Sequence, residues 1–96
     1  MDKKTLIELI EKNGFEIKGK TKDSWKVCYE IKSLNEKYSI SIARFKKKSI
    51  IQSILKVIEY WKFIGLEDVK SIKAQKEIEK TIAKMKKLIG EINETK

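Results

Sequence analysis

Between residues 15 and 43 the chain changes side-chain character at every second position, and nothing else in it limits the fold as strongly. Trp25, Val27, Tyr29 and Ile31 alternate with Lys26, Cys28, Glu30 and Lys32. Tyr38, Ile40 and Ile42 alternate with Ser39, Ser41 and Ala43, and a shorter stretch sets Phe15 and Ile17 against Glu16 and Lys18. Successive side chains of a strand point to opposite faces, so each stretch carries one apolar and one polar face. The connections, residues 19–24 and 33–37, are too short for parallel crossovers. The pattern predicts a three-stranded antiparallel meander whose apolar face must be covered.

Helical periodicity flanks this block. Asp2 is placed to cap a first helix reaching about Asn13, with Leu6, Ile7 and Ile10 on its apolar face and Lys4, Glu8 and Lys12 paired at i, i+4 on the other. Asn13-Gly14-Phe15 reads as a helix stop: Gly14 supplies a left-handed turn and Phe15 folds back on Ile10. A second helix is predicted from a start between Lys46 and Ser49 to Gly65. Its Ile50, Ile54, Val57, Ile58 and Trp61 fall within one arc, which covers the sheet. Tyr60, Phe63 and Lys56 point elsewhere and are read as the seat for the last helix. That helix starts near Glu67, where Glu67 and Asp68 suit the positive end of the helix dipole, and reaches Gly90 or beyond. The fold class expected is therefore α+β, ordered α-β-β-β-α-α, with the helices on one face of the sheet. It is one domain, residues 1–96, in which 1–65 form the core and 66–96 a C-terminal helix that doubles as a dimerisation element.

The dimer expectation comes from a seam. Ile78, Ile82, Met85, Ile89 and Ile92 alternate spacings of four and three, a coiled-coil rhythm sustained for about two heptads. A stripe that apolar does not stay wet. It packs either on the Tyr60/Phe63 side of the second helix or on a second copy, and the expectation favours the copy.

Charge sets the class of partner. The chain has 23 basic and 14 acidic residues, a formal charge of +9, and no histidine. Such a field attracts phosphates, anionic surfaces or acidic proteins. All the basic residues but Arg44 are lysine. Lysine suits phosphate attraction, whereas arginine is the usual reader of guanine edges. The abundance of Lys, Glu and Ile leans toward a thermophilic host. Cys28 is alone, which removes an internal disulfide and a cysteine metal cluster. No run approaches the roughly 18 apolar residues that span a bilayer, so the expectation is an intracellular protein, or one inside an infected cell, with no membrane partner.

Without histidine the chain lacks the commonest general base and most zinc sites. Gly14, Gly19, Gly65 and Gly90 are too dispersed for a phosphate-cradling loop. No cofactor, metal or catalytic residue is expected, and the chain is read as a non-enzyme. One constellation qualifies that reading. Glu30-Ile31-Lys32 ends a strand, with Asp23 upstream, and restriction-type nucleases hold Mg²⁺ with such an acid-x-Lys strand. The runs Asn13-Gly14-Phe15-Glu16-Ile17 and Lys26-Val27-Cys28-Tyr29-Glu30-Ile31-Lys32-Ser33 resemble pieces of archaeal Holliday-junction resolvases over about a third of the chain. The strand that would bring the family's metal-binding aspartate is missing or too short, so what this resemblance implies is a degenerate nuclease, the third reading after the two below.

The order helix, three strands, helix resembles the double-stranded RNA-binding domain. In that family, lysines at the start of the second helix straddle RNA phosphates, and Lys46, Lys47 and Lys48 occupy the matching place. The family's histidine in the sheet turn is absent, and the helix core is rich in Ile where the family prefers small residues. HicA-type toxins share the topology and open much as residues 6–17 do; their catalytic histidine has no counterpart here.

Independently of any likeness, lysines at a helix start oppose the dipole, a conflict that a bound anion relieves. Lys76, Lys80, Lys84 and Lys87 form a second cationic row, within roughly 80° of one another on the last helix. The expectation is phosphate-directed nucleic-acid binding, in regulation or a mobile element. Arg44, Lys46, Lys47 and Lys48 lead it, and the Lys76/Lys80/Lys84/Lys87 row comes second. The alternative is a protein-interaction module: a homodimer through Ile78, Ile82, Met85, Ile89 and Ile92, or an inhibitor whose basic face meets an acidic or nucleic-acid-binding protein.

Overall fold

A computed structural model describes residues 3–19, 25–64 and 71–95. The elements run α1 (Lys3–Lys12), β1 (Glu16–Lys18), β2 (Trp25–Ile31), β3 (Glu36–Ile42), α2 (Lys47–Ile64) and α3 (Ile72–Glu94). The three strands form one antiparallel sheet in chain order. This is the expected α-β-β-β-α-α arrangement. Asp2, Glu67 and Asp68, expected at helix starts, lie outside the described residues, as does Asp23. No helix among the described residues is long and apolar enough to cross a membrane.

The local reasons for these elements are those the residues suggest. α1 ends in a double closure: Phe15 N–H donates to the Ile10 carbonyl and Gly14 N–H to the Glu11 carbonyl. Gly14 sits at φ 89, where a Cβ is costly. Leu6, Ile10 and Phe15 are buried and Ile7 partly so. In the sheet, Val27 faces Ile40, Trp25 faces Ile42 and Tyr29 faces Tyr38. Trp25, Val27, Ile31, Ile40 and Ile42 are buried on the inner face, while Lys26, Glu30, Lys37, Ser39 and Ser41 are exposed. β3 starts at Glu36, earlier than expected. A single 3₁₀ turn, Lys32–Leu34, followed by left-handed Asn35 at φ 52, makes the reversal tighter than the sequence alone suggests.

α3 holds a central place. It contacts α2, α1, the 3₁₀ turn and β2, so it lies in the helix layer between the other two helices. Ser71 caps it, its hydroxyl accepting from Ala74 N–H at 3.3 Å. Ile78, Met85 and Ile92 are fully buried, and Ile82 and Ile89 are partly buried against the same clusters. The seam, expected to favour a second copy, thus has three of its five residues fully buried within the chain itself. Met85 and Leu88 meet Phe15, Val27, Ile40 and Ile54 with no space for a water between them, so the chain's own core occupies the seam. α3 thus contributes to the same core as residues 3–64. Tyr60 and Phe63 are not its seat. α2 buries Ile50, Ile54, Ile58 and Trp61, leaving Tyr60 56% and Phe63 91% exposed.

Beside α2 lies an aromatic cluster. Tyr29 and Tyr38 stack at 5.3 Å, and Trp61 meets Tyr38 edge-on. The Trp61 indole N–H donates to the Tyr29 hydroxyl at 3.0 Å. Burial pushes the Tyr29 hydroxyl above its ordinary value of 10.0, against the opposing pull of the Trp61 N–H. A raised folded-state pKa means the unfolded chain loses this proton first. The stability tied to it is therefore whole below about pH 10 and falls as pH climbs through the folded value. Urea titrations from about pH 9 upward should show that fall setting in near pH 10, while tyrosinate absorbance of the folded protein shows Tyr29 titrating above the ordinary tyrosine range. Stability that stays flat there would contradict the burial of Tyr29.

Candidate functional site

A difference in helix length creates the most distinctive surface. α1 has 10 residues and α3 has 23, about 15 Å against about 35 Å. The end of α1 is tied to the C-terminal part of α3: Lys12 pairs with Glu91 at 3.8 Å, and the buried Asn13 side chain donates to Glu91 at 3.4 Å and to the Leu9 carbonyl at 2.8 Å. Past Gly14, the earlier turns of α3 face the end of β2 across an open groove of about 640 Å³.

Five ammonium groups line that groove: Lys32 from the sheet side and Lys73, Lys76, Lys80 and Lys84 from α3. Among the described residues its carboxylates are Glu30 and Glu77. Glu77 is already engaged, accepting from Ser33 N–H at 2.8 Å and Lys32 N–H at 3.1 Å. The Ser33 N–H is the main influence holding the Glu77 carboxyl below its ordinary range; the Ser33 hydroxyl, the Lys32 N–H and the Lys32 charge add to it. Thr81 Oγ1 donates to the Glu77 carbonyl at 2.9 Å. The first turn of α3 carries no acidic residue, so the positive end of its dipole adds to the lysine field. Lys84 Nζ reaches the Gly14 turn, lying 3.9 Å from where a Cβ would stand. Lys76, Lys80 and Lys84 follow one another at i, i+4, a like-charge arrangement that costs the helix a few tenths of a kcal/mol per pair.

The expected cationic sites are thus redistributed. Lys76, Lys80 and Lys84 share the groove, while Lys87 is exposed outside its lining. Lys73 and Lys32 join them. Lys73 stands three residues before Lys76, a signal present in the sequence; Lys32 is brought in only by tertiary structure. Arg44, Lys46 and Lys48 are exposed at the start of α2. Lys47 is not free to meet a phosphate as expected. Its Nζ donates to the carbonyls of Thr95 at 2.7 Å and Asn93 at 3.2 Å, where a cation caps the negative end of α3. This contact places the α2 cluster at the far end of α3, about 25 Å along the axis from Lys76. Lys47→Gln should accordingly lower stability by about 1 kcal/mol, read as an earlier urea midpoint. An unchanged midpoint would mean that the side chain is not held.

Glu30 and Lys32, the acid-x-Lys pair, both border the groove. Among the described residues, no group of three or more carboxylate or thiol side chains gathers where it could hold a metal ion. Cys28 is a partly buried free thiol. Compared with models of known protein families, with curated proteins and with solved structures, the chain matches none.

Proposed function

We propose that this protein binds nucleic acid through its phosphates, without turnover, and that the groove beside α3 is the principal contact. The observation that carries the reading is the meeting of Lys32, Lys73, Lys76, Lys80 and Lys84 on one open groove, where one of the lining carboxylates, Glu77, is tied to two backbone N–H groups. Lysines repelling one another along a helix face are relieved by a polyanion that gives up its counterions on binding. Arg44, Lys46 and Lys48 then make a second, separate contact, and Lys47 belongs to the scaffold.

The test is fluorescence anisotropy with labelled nucleic acids across a salt series. About four phosphate contacts give a log–log slope near −4, so affinity should fall on the order of 100-fold between about 50 and 200 mM salt. Sequence preference should be small, because lysines at phosphates position a protein without reading bases. Absence of binding at the lowest salt would sink the proposal. It would leave a second reading, a protein-interaction module using the exposed Tyr60 and Phe63, which lie beside Lys56 and Lys62.

A further inference from the structure

We infer that the groove takes the backbone of one strand of a duplex and discriminates against single strands. This inference rests on the phosphate-binding reading above. The first support is the cation array. Lys76, Lys80 and Lys84 are successive i, i+4 positions, so their Cα atoms rise by about 6 Å per step along the helix axis. That step is close to the separation of consecutive phosphates along one strand. The array is stiff because the opposite side of α3 is locked into the core by Ile78, Met85 and Ile92. A duplex presents its phosphates already ordered, whereas a single strand gives up conformational freedom to match them.

The second support is what the groove wall lacks. Among the described residues its side chains are charged or hydroxylic, apart from Gly14, and no aromatic ring lines it. Proteins that hold single strands stack the bases on aromatic rings. The strongly exposed rings, Tyr60 and Phe63, lie on α2 with Lys56, Glu59 and Lys62 and share no lining residue with the groove. Glu30 also borders the groove, on the strand side. With Glu30 offset by Lys32 on that side, the excess of positive charge lies on α3, which suits a backbone running along that helix rather than bases entering the groove.

The experiment is a competition assay with the full chain. A labelled duplex of about 16 base pairs, the span of a typical duplex-binding module, is displaced by the unlabelled duplex or by its separated strands, at one salt concentration. DNA and RNA arms distinguish the two sources of the same backbone chemistry. The duplex should compete on the order of ten-fold better than either strand in at least one arm. The combined Lys76→Gln, Lys80→Gln and Lys84→Gln variant should bring that ratio near unity, with circular dichroism showing its helices intact. Lys87→Gln, outside the groove lining, should leave the ratio unchanged. Single strands that compete as well as the duplex would overturn the inference while leaving phosphate binding in place. A triple variant that weakens both forms equally would overturn it too. Absence of binding to any nucleic acid at low salt would remove the underlying reading as well.

Discussion

Replacing Lys73, Lys76, Lys80 and Lys84 together by glutamine is expected to weaken duplex binding on the order of 10³-fold at about 0.1 M salt and to flatten the salt slope by three to four units, at roughly 0.9 for each phosphate no longer neutralised. The groove lining puts these four on one wall, so their contributions act on one ligand path. The same change should leave the thermal midpoint level or raise it slightly, since it removes like charges at i, i+4. Affinity and stability thus move independently, which separates a missing phosphate partner from a damaged fold. Lys87→Gln, outside the lining, serves as the comparison and should have little effect. A four-fold variant that binds within ten-fold of the parent would place the phosphate sites elsewhere, with Arg44, Lys46 and Lys48 the next to replace.

Met85→Ala should cost about 2–5 kcal/mol, a large part of the roughly 5–15 kcal/mol that stabilises a domain. Met85 is fully buried among Phe15, Val27, Ile40, Ile54 and Leu88, and truncation there leaves a void that a sheet and two helices cannot close. Because those partners are in the same chain, the urea midpoint should fall by the same amount at every protein concentration. A loss that shrinks as concentration rises, with folded monomer appearing on dilution, would show instead that the seam joins two copies.

These cases show where the sequence was informative. The strands were legible because alternation is enforced locally: Val27 and Ile40 must share a face whatever covers it. The end of α1 was legible because Asn13-Gly14-Phe15 closes a helix by backbone geometry alone. The fate of the last helix was not. A stripe such as Ile78, Met85 and Ile92 has the same spacing whether it meets its own sheet or a neighbour, and periodicity does not distinguish the two. Tyr60 and Phe63 make a related point: large apolar side chains suggest a covering partner, but the helix that would cover them is held by the sheet instead. The α3 lysines were found by spacing, but their convergence with Lys32, and the tie between Glu77 and the Lys32–Leu34 turn, depend on residues more than forty positions apart in the chain. Lys47 stood out as a charge at a helix start; its bond to the carbonyls of Asn93 and Thr95 is equally remote in sequence.

The middle position of α3 in the helix layer also bears on how the protein comes into being. The ribosome delivers this segment after every strand and both flanking helices. Until it arrives, the emerging polypeptide has a sheet whose Val27 and Ile40 lack the cover of Met85 and Leu88, and two helices with a gap between them. The nascent chain is then at its stickiest, and cooperative folding waits for residues 78–92. A message cut short before that point would yield a product for proteases and chaperones rather than a smaller working domain.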